Sequence, residues 1–309
     1  MATTTQTLTN GASLTNSAPP PTTTTTTNPS SATYIPTGPV TAPLKFYSPP
    51  TDGSAPFNYV ETPPPGHPQR NFTDAEHLVP IHDIRGHEST YNLDANAFAA
   101  LTHLAPSATN PDLDFTDDAA IRKHYYPEIE HLLHAHLPTA TRILLFDHTV
   151  RRALPSAPRA PVTRVHVDQT PASAAARVRH HIADPAEAER LLQGRYRIVN
   201  VWRPLNGAVQ SFPLAFADSA SVADGDLVGI EHRYPDRTGE TAGVRFNERQ
   251  RWFYWSGMTG EERLLLKCFD SEGGDGARGR APHSAFVDPR TPVGARPRES
   301  IEVRALVFG

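Results

Sequence analysis

Two histidines and one carboxylate are spaced so that they could hold a metal ion. His166 and Asp168 form the single His-x-Asp of the chain, in Val165-His166-Val167-Asp168, and His283 follows far downstream. Two imidazoles and one carboxylate occupy one face of Fe(II) and leave the opposite positions open for a co-substrate and dioxygen. Alternate side chains of a strand point the same way, so His166 and Asp168 face one metal while Val165 and Val167 face away. Arg298-Glu299-Ser300 follows His283. An Arg there offers a planar, charged, bidentate partner to the far carboxylate of a dicarboxylate that chelates iron through its 2-oxo acid end. Ser300 has the same strand parity and adds a donor. Arg304 keeps that parity too and ranks second to Arg298 as the anchor, with Arg296 a further alternative.

Each assignment competes with a blander one. The chain has 15 histidines, and a surface His and Asp at a strand end would give the same string. His134 and His136 lie two apart on a helix and so do not share a face. His180 and His181 are adjacent and diverge. Asp147-His148 closes a strand and suits support of the metal site, and His232 reads as packed or at the pocket mouth. Candidate substrate-pocket residues are Asn200, Trp202, Arg203, Tyr254 and Lys267, with Trp252 and Trp255 beside them. Asn200 and Trp202 share one face of their strand and Arg203 takes the other. Core packing is the ordinary alternative for the aromatics. A charge such as Arg203 in an apolar strand calls for an anionic partner, either a substrate carboxylate or Asp218.

The elements that must position these residues are mostly strands. Helical spacing of Ile121, Tyr125, Ile129, Leu132, Leu133 and Leu137 predicts a helix over about 117–137, ended by Pro138. A second helix is expected over 185–195, and a short helix or turn over 261–267. Strands are expected over 79–84, 141–147, 162–167, 196–204, 227–234, 243–255, 283–287 and 300–308, with a Gly-rich loop over 272–280. The fold class is mainly β with flanking helices, around a double-stranded β-helix (jelly roll, cupin-like) core. Strands and helices do not alternate, and no Gly-rich phosphate loop follows a strand as a doubly wound fold would require.

Residues 1–44 read as a disordered Thr/Pro/Ser-rich arm and 45–309 as a single domain. The arm is too polar to offset its ordering entropy, and its first charge is Lys45. It lacks the features of a secretory signal or presequence. The single cysteine, Cys268, suits a reducing, cytoplasmic compartment. A net charge of -4 without a basic block argues against nucleic acid as a partner, and no run is long and apolar enough for a membrane. Oligomeric state stays open, homodimer included.

In order along the chain come Asp83-Ile84-Arg85-Gly86, Phe146-Asp147-His148-Thr149, Val165 to Pro171, Asn200-Val201-Trp202-Arg203-Pro204, Lys267-Cys268-Phe269-Asp270-Ser271 and Pro297 to Arg304. Residues 46–309 with these blocks resemble the fungal hydroxylase/desaturase family of secondary metabolism. That family includes an aspergillic-acid-pathway hydroxylase, a gibberellin desaturase and relatives of cephem-methoxylation proteins. The resemblance implies a non-haem Fe(II)/2-oxoglutarate-dependent oxygenase that also uses O2. It implies His166, Asp168 and His283 as iron ligands, and Arg298 with Ser300 at the co-substrate carboxylate. The expected substrate is a small molecule that carries a carboxylate or derives from an amino acid, undergoing hydroxylation, desaturation or oxidative C–N ring closure. The alternatives are a metal-dependent hydrolase, which leaves Arg298-x-Ser300 without a task, and a non-catalytic cupin-like binding protein.

Overall fold

The structure, a computed structural model, describes residues 34–104, 113–273 and 279–309. Among these, the larger sheet has strand order β1 (Val40–Ser48), β3 (Thr73–Asp83), β11 (Trp252–Tyr254), β8 (Leu214–Ala217), β13 (His283–Ala285), β6 (His166–Val167), β10 (Thr238–Val244), β9 (Leu227–Arg233) and β2 (Phe57–Tyr59). The smaller sheet runs β4 (Phe98–Leu101), β12 (Arg263–Asp270), β7 (Tyr196–Pro204), β14 (Glu299–Phe308) and β5 (Arg142–Arg152). Most pairings are antiparallel, and many join strands distant in sequence, such as β6 with β13 and β7 with β14. This is the jelly-roll core expected from the sequence.

Period-two alternation explains how the smaller sheet presents its faces. Val199 and Val201 of β7 and Ile301 and Val303 of β14 turn outward onto the helix that carries Ile121, Tyr125, Ile129 and Leu133. Asn200 and Trp202, and Glu302 and Arg304, take the opposite parity and face the interior. Between the sheets, Trp202 packs with Phe98, Phe216, Phe253 and Leu264. Complete burial of one large aromatic side chain stabilises by about 1.5–3 kcal/mol, so this layer holds the two sheets firmly around the site.

The outer helix is helical throughout Asp118–His136, with a π turn over Ile121–Tyr125. Asp117 caps its first turn by accepting from the Ala119 and Ala120 amides. A helix over Pro171–His181, not anticipated from sequence, begins just past Asp168. Thr170 and Ser173 form its capping box, and Pro171 suits its first turn. That cap fixes the backbone immediately after Asp168.

Other boundaries differ from expectation. The segment expected as a helix or turn over 261–267 belongs largely to strand β12, whose residues are all buried. Burial on both faces erases the alternation that would have marked it. The strand expected over 243–255 is split into β10 and β11. The one expected over 162–167 shrinks to His166–Val167, with Arg164 in an isolated bridge to Lys45. Strand β1 starts at Val40, inside the arm assigned from composition, because Val40, Ala42 and Leu44 alternate inward and pair with β3. Residues 1–33 of that arm, and 274–278 of the Gly-rich loop, lie outside the described residues. Among the described residues, no helix is long and apolar enough to cross a membrane.

Candidate metal centre and its cavities

Strands β6 and β13 are antiparallel neighbours, and His166 is the direct register partner of His283. Cross-strand partners on one face bring their side chains together, and the two imidazole centroids lie 4.5 Å apart. Asp168 follows at the same parity as His166. Ligand atoms of His166, Asp168 and His283 all lie within 4.8 Å of one another.

The orientation of each group is set from behind. Nδ1 of His166 faces the Arg164 carbonyl at 2.9 Å, and Nδ1 of His283 faces the Ala281 carbonyl at 3.0 Å. A carbonyl only accepts, so both Nδ1 atoms carry the proton and both Nε2 lone pairs are free for a metal. The Asp168 Oδ2 atom accepts from Asn200 Nδ2 at 2.8 Å and from Arg304 Nε at 3.1 Å. Burial alone would raise the Asp168 carboxyl. Arg304, with His166 and His283, outweighs burial and holds it well below the usual carboxylate range. Burial and the neighbouring His166 push the His283 imidazole down, which keeps it neutral as a ligand must be. Two imidazoles with free Nε2 atoms and one ionised carboxylate, beside a cavity, fit Fe(II).

Arg304 is fully engaged. It donates to Asp168, to Asp147 Oδ2 at 3.0 Å, to Thr149 Oγ1 at 3.1 Å and to Glu302 Oε1 at 2.6 Å. It therefore holds the Asp168 carboxylate and is not a spare anchor, and Asp147 is joined to the cluster through it. Arg298 is the opposite case. It is 2% exposed, donates from Nη1 to the Phe212 carbonyl, and stacks over Trp202 at 5.4 Å. Its Nε has no partner among the described residues. Burial, with Arg151 nearby, pushes its guanidinium down to about 9. A buried cation in no ion pair among the described residues, beside a small cavity of about 30 Å³ lined also by His166, Trp202, His283 and the Arg304-paired Glu302, offers a seat for an anion. Ser300 is buried two residues further along the same face.

An outer cavity of about 320 Å³ opens on the other side of His166 and Asp168, and His232 and Tyr234 are among its lining residues. The expected substrate pocket needs correction here. Of the candidates, only Trp202 lines a cavity that contains the metal-site residues. Asn200 instead orients Asp168. Arg203 turns to the outer face, between the Phe115 and Tyr125 rings at 5.6 and 5.5 Å, so its expected anionic partner is replaced by aromatic faces. Tyr254 donates to the Gly38 carbonyl at 2.7 Å and packs in the core beyond the larger sheet. Lys267 pairs with Asp270 at 2.8 Å, buried. Residues missed by sequence reasoning are Arg151, Arg159, Arg177 and Tyr234, contributed by separate segments with no common motif.

Comparison with known proteins agrees with this site. A family model described as "Oxidoreductase/YMDC permease-like domain" matches residues 44–308. The chain is 36% identical over 300 residues to the hydroxylase/desaturase poxK of Penicillium oxalicum, covering 88% of this chain and 92% of the relative. It is 32% identical over 270 residues to the Fe(II)/2-oxoglutarate-dependent dioxygenase nvfI of Aspergillus novofumigatus, covering 86% and 95%. A solved structure of the iron and alpha-ketoglutarate-dependent endoperoxidase NvfI superposes with a TM-score of 0.79 at 30% identity, over 88% of this chain and 98% of that one. The chain belongs to the fungal hydroxylase/desaturase family of Fe(II)/2-oxoglutarate-dependent oxygenases. It is a 2-oxoglutarate-dependent non-haem iron dioxygenase of secondary metabolism that uses Fe(II), 2-oxoglutarate and O2 and acts on a small molecule. The hydrolase and the non-catalytic cupin readings give way to this one.

Proposed function

We propose that His166 and His283, through Nε2, and Asp168, through its carboxylate, hold the iron. In this reading Arg298, with Ser300 beside it, receives the distal carboxylate of 2-oxoglutarate. The substrate lies in the outer cavity, and one of its C–H bonds is oxidised to give hydroxylation, desaturation or oxidative ring closure. The observation that carries this reading is the His166–Asp168–His283 cluster beside a buried guanidinium without a counter-ion.

Bound Fe(II) with 2-oxoglutarate and O2 supplies an oxidant able to take hydrogen from an unactivated carbon. The chain does the rest. The Arg164 and Ala281 carbonyls fix the imidazoles, while Asn200 and Arg304 fix the carboxylate and keep it ionised. Trp202 stacks on Arg298 and helps exclude water from the inner cavity, which strengthens the charge pairing there. The walls of the outer cavity orient the carbon to be attacked. The relatives' names include both hydroxylase/desaturase and endoperoxidase, so one scaffold supports several outcomes. A carboxylate-bearing substrate and a cytoplasmic location, suited to the free buried Cys268, complete the reading.

The test is anaerobic titration of the protein with Fe(II) and 2-oxoglutarate. A weak visible charge-transfer band is expected, followed by succinate when air is admitted with substrate. No band and no succinate would refute the assignment.

A further inference from the structure

Five arginines line the outer cavity, and they fall into two groups. Arg164 is paired with Asp74 at 2.6 Å, and Arg304 with Asp168, Asp147 and Glu302. Arg151, Arg159 and Arg177 have no carboxylate partner among the described residues. They come from β5, from the loop after it and from the Pro171–His181 helix, and they converge on one lobe. Arg151 lines the inner cavity as well, so it stands between the Arg298 seat and the substrate space. Its side chain donates from Nη1 to the Ala160 carbonyl at 3.0 Å. Arg177 lies over the Phe146 ring at 5.6 Å. Burial pushes the guanidinium groups of both Arg151 and Arg177 down, the direction of cations without enough counter-charge. Beyond Arg177, His232 and Tyr234 the space continues into a second lobe of about 470 Å³, walled partly by Glu231 and Glu240.

We propose that the lobe formed by Arg151, Arg159 and Arg177 binds a carboxylate of the substrate and so sets which end of the molecule lies toward the metal. The inference rests on the functional reading above and deepens it. Its volume of about 320 Å³ suits a small molecule. Three guanidinium groups around one lobe match the planar, two-oxygen geometry of a carboxylate. Asp147 and Asp168 share the wall, so a singly charged carboxylate meets less repulsion there than a phosphate dianion would.

The probes are straight-chain carboxylates from butanoate to decanoate and the matching primary amides. They are titrated anaerobically into the full chain loaded with Fe(II) and 2-oxoglutarate, with perturbation of the visible band as readout. At least one acid is expected to bind about tenfold or more tighter than its amide. Arg159→Gln, at an exposed position whose loss does not threaten the fold, and Arg177→Gln should each cut that preference to about twofold. An acid series with no preference over the amides, or no binding at all, overturns the proposal. So does competition between the acids and 2-oxoglutarate for the band, which would give these arginines to the co-substrate. A normal band with 2-oxoglutarate alone separates these failures from failure of the iron reading. A missing band refutes both.

Discussion

Arg298 and Arg304 lie on the same interior face of β14 and its approach, yet they are opposites. Arg304 touches three carboxylates and a hydroxyl. Burial would lower its guanidinium, but Glu302, Asp168 and Asp147 raise it above its ordinary value. Arg298 is more deeply buried, meets only a backbone carbonyl and a ring face, and is pushed down to about 9. The difference teaches how to sort buried cations near a site. A saturated one belongs to the frame, and an unsatisfied one that also lines a cavity, as Arg298 does and Arg203 does not, offers the place for a ligand.

The comparison can be broken or sharpened by substitution. The reference point is Asp168→Ala, which removes one of the three proposed ligands. It should lower succinate release by more than about a thousandfold, roughly 4 kcal/mol in the barrier. Arg298→Gln should raise the KM for 2-oxoglutarate by about two orders of magnitude, since one partner of a buried charge pair is lost. Iron affinity, measured by anaerobic titration, should change far less. Arg304→Gln should do the reverse, weakening iron binding by about 10–100-fold with a smaller change in the KM for 2-oxoglutarate. If both variants affect iron and 2-oxoglutarate alike, the contrast between them fails.

Arg304→Gln also carries a pH signature. The native Asp168 carboxyl is depressed, so its ion pair contributes apoprotein stability that is present above the unfolded value, about 3.9, and is lost as pH falls through the depressed native one. In Arg304→Gln burial prevails, the carboxyl rises, and the acid limb of iron binding should move to higher pH. The smallest effect is expected at Arg203. Arg203→Met should leave succinate release within about twofold and cost about 0.5–2 kcal/mol of stability in urea denaturation. A large loss of activity there would restore Arg203 to the substrate pocket.

Strand parity made legible the residues we propose as metal ligands and as anchor. His166 and Asp168, flanking the apolar Val167, and Arg298 and Ser300, flanking Glu299, are i and i+2 pairs. Parity tells which face a residue takes but not what stands across from it. Asn200 was placed on the correct face and still misassigned, because its neighbour there is Asp168. Arg304 was ranked as a second anchor for the same reason. Lys267 and Tyr254 lie in strands buried on both faces, where parity does not separate cavity from core. The convergence of Arg151, Arg159 and Arg177 depends on a strand, a loop and a helix meeting, which no local pattern encodes.

The two carbonyls behind His166 and His283 have a practical consequence. Both rings are held by backbone carbonyls two residues earlier, just ahead of their strands, and those bonds are made without using Nε2. The protein is thus a mould already set before casting. Mn(II), Co(II) or Ni(II) should enter the same donor set in air without refolding the chain. Such a redox-quiet replica, with 2-oxoglutarate and a trapped acid in place, would let the uncommitted complex be crystallised at leisure and its attacked carbon be read directly.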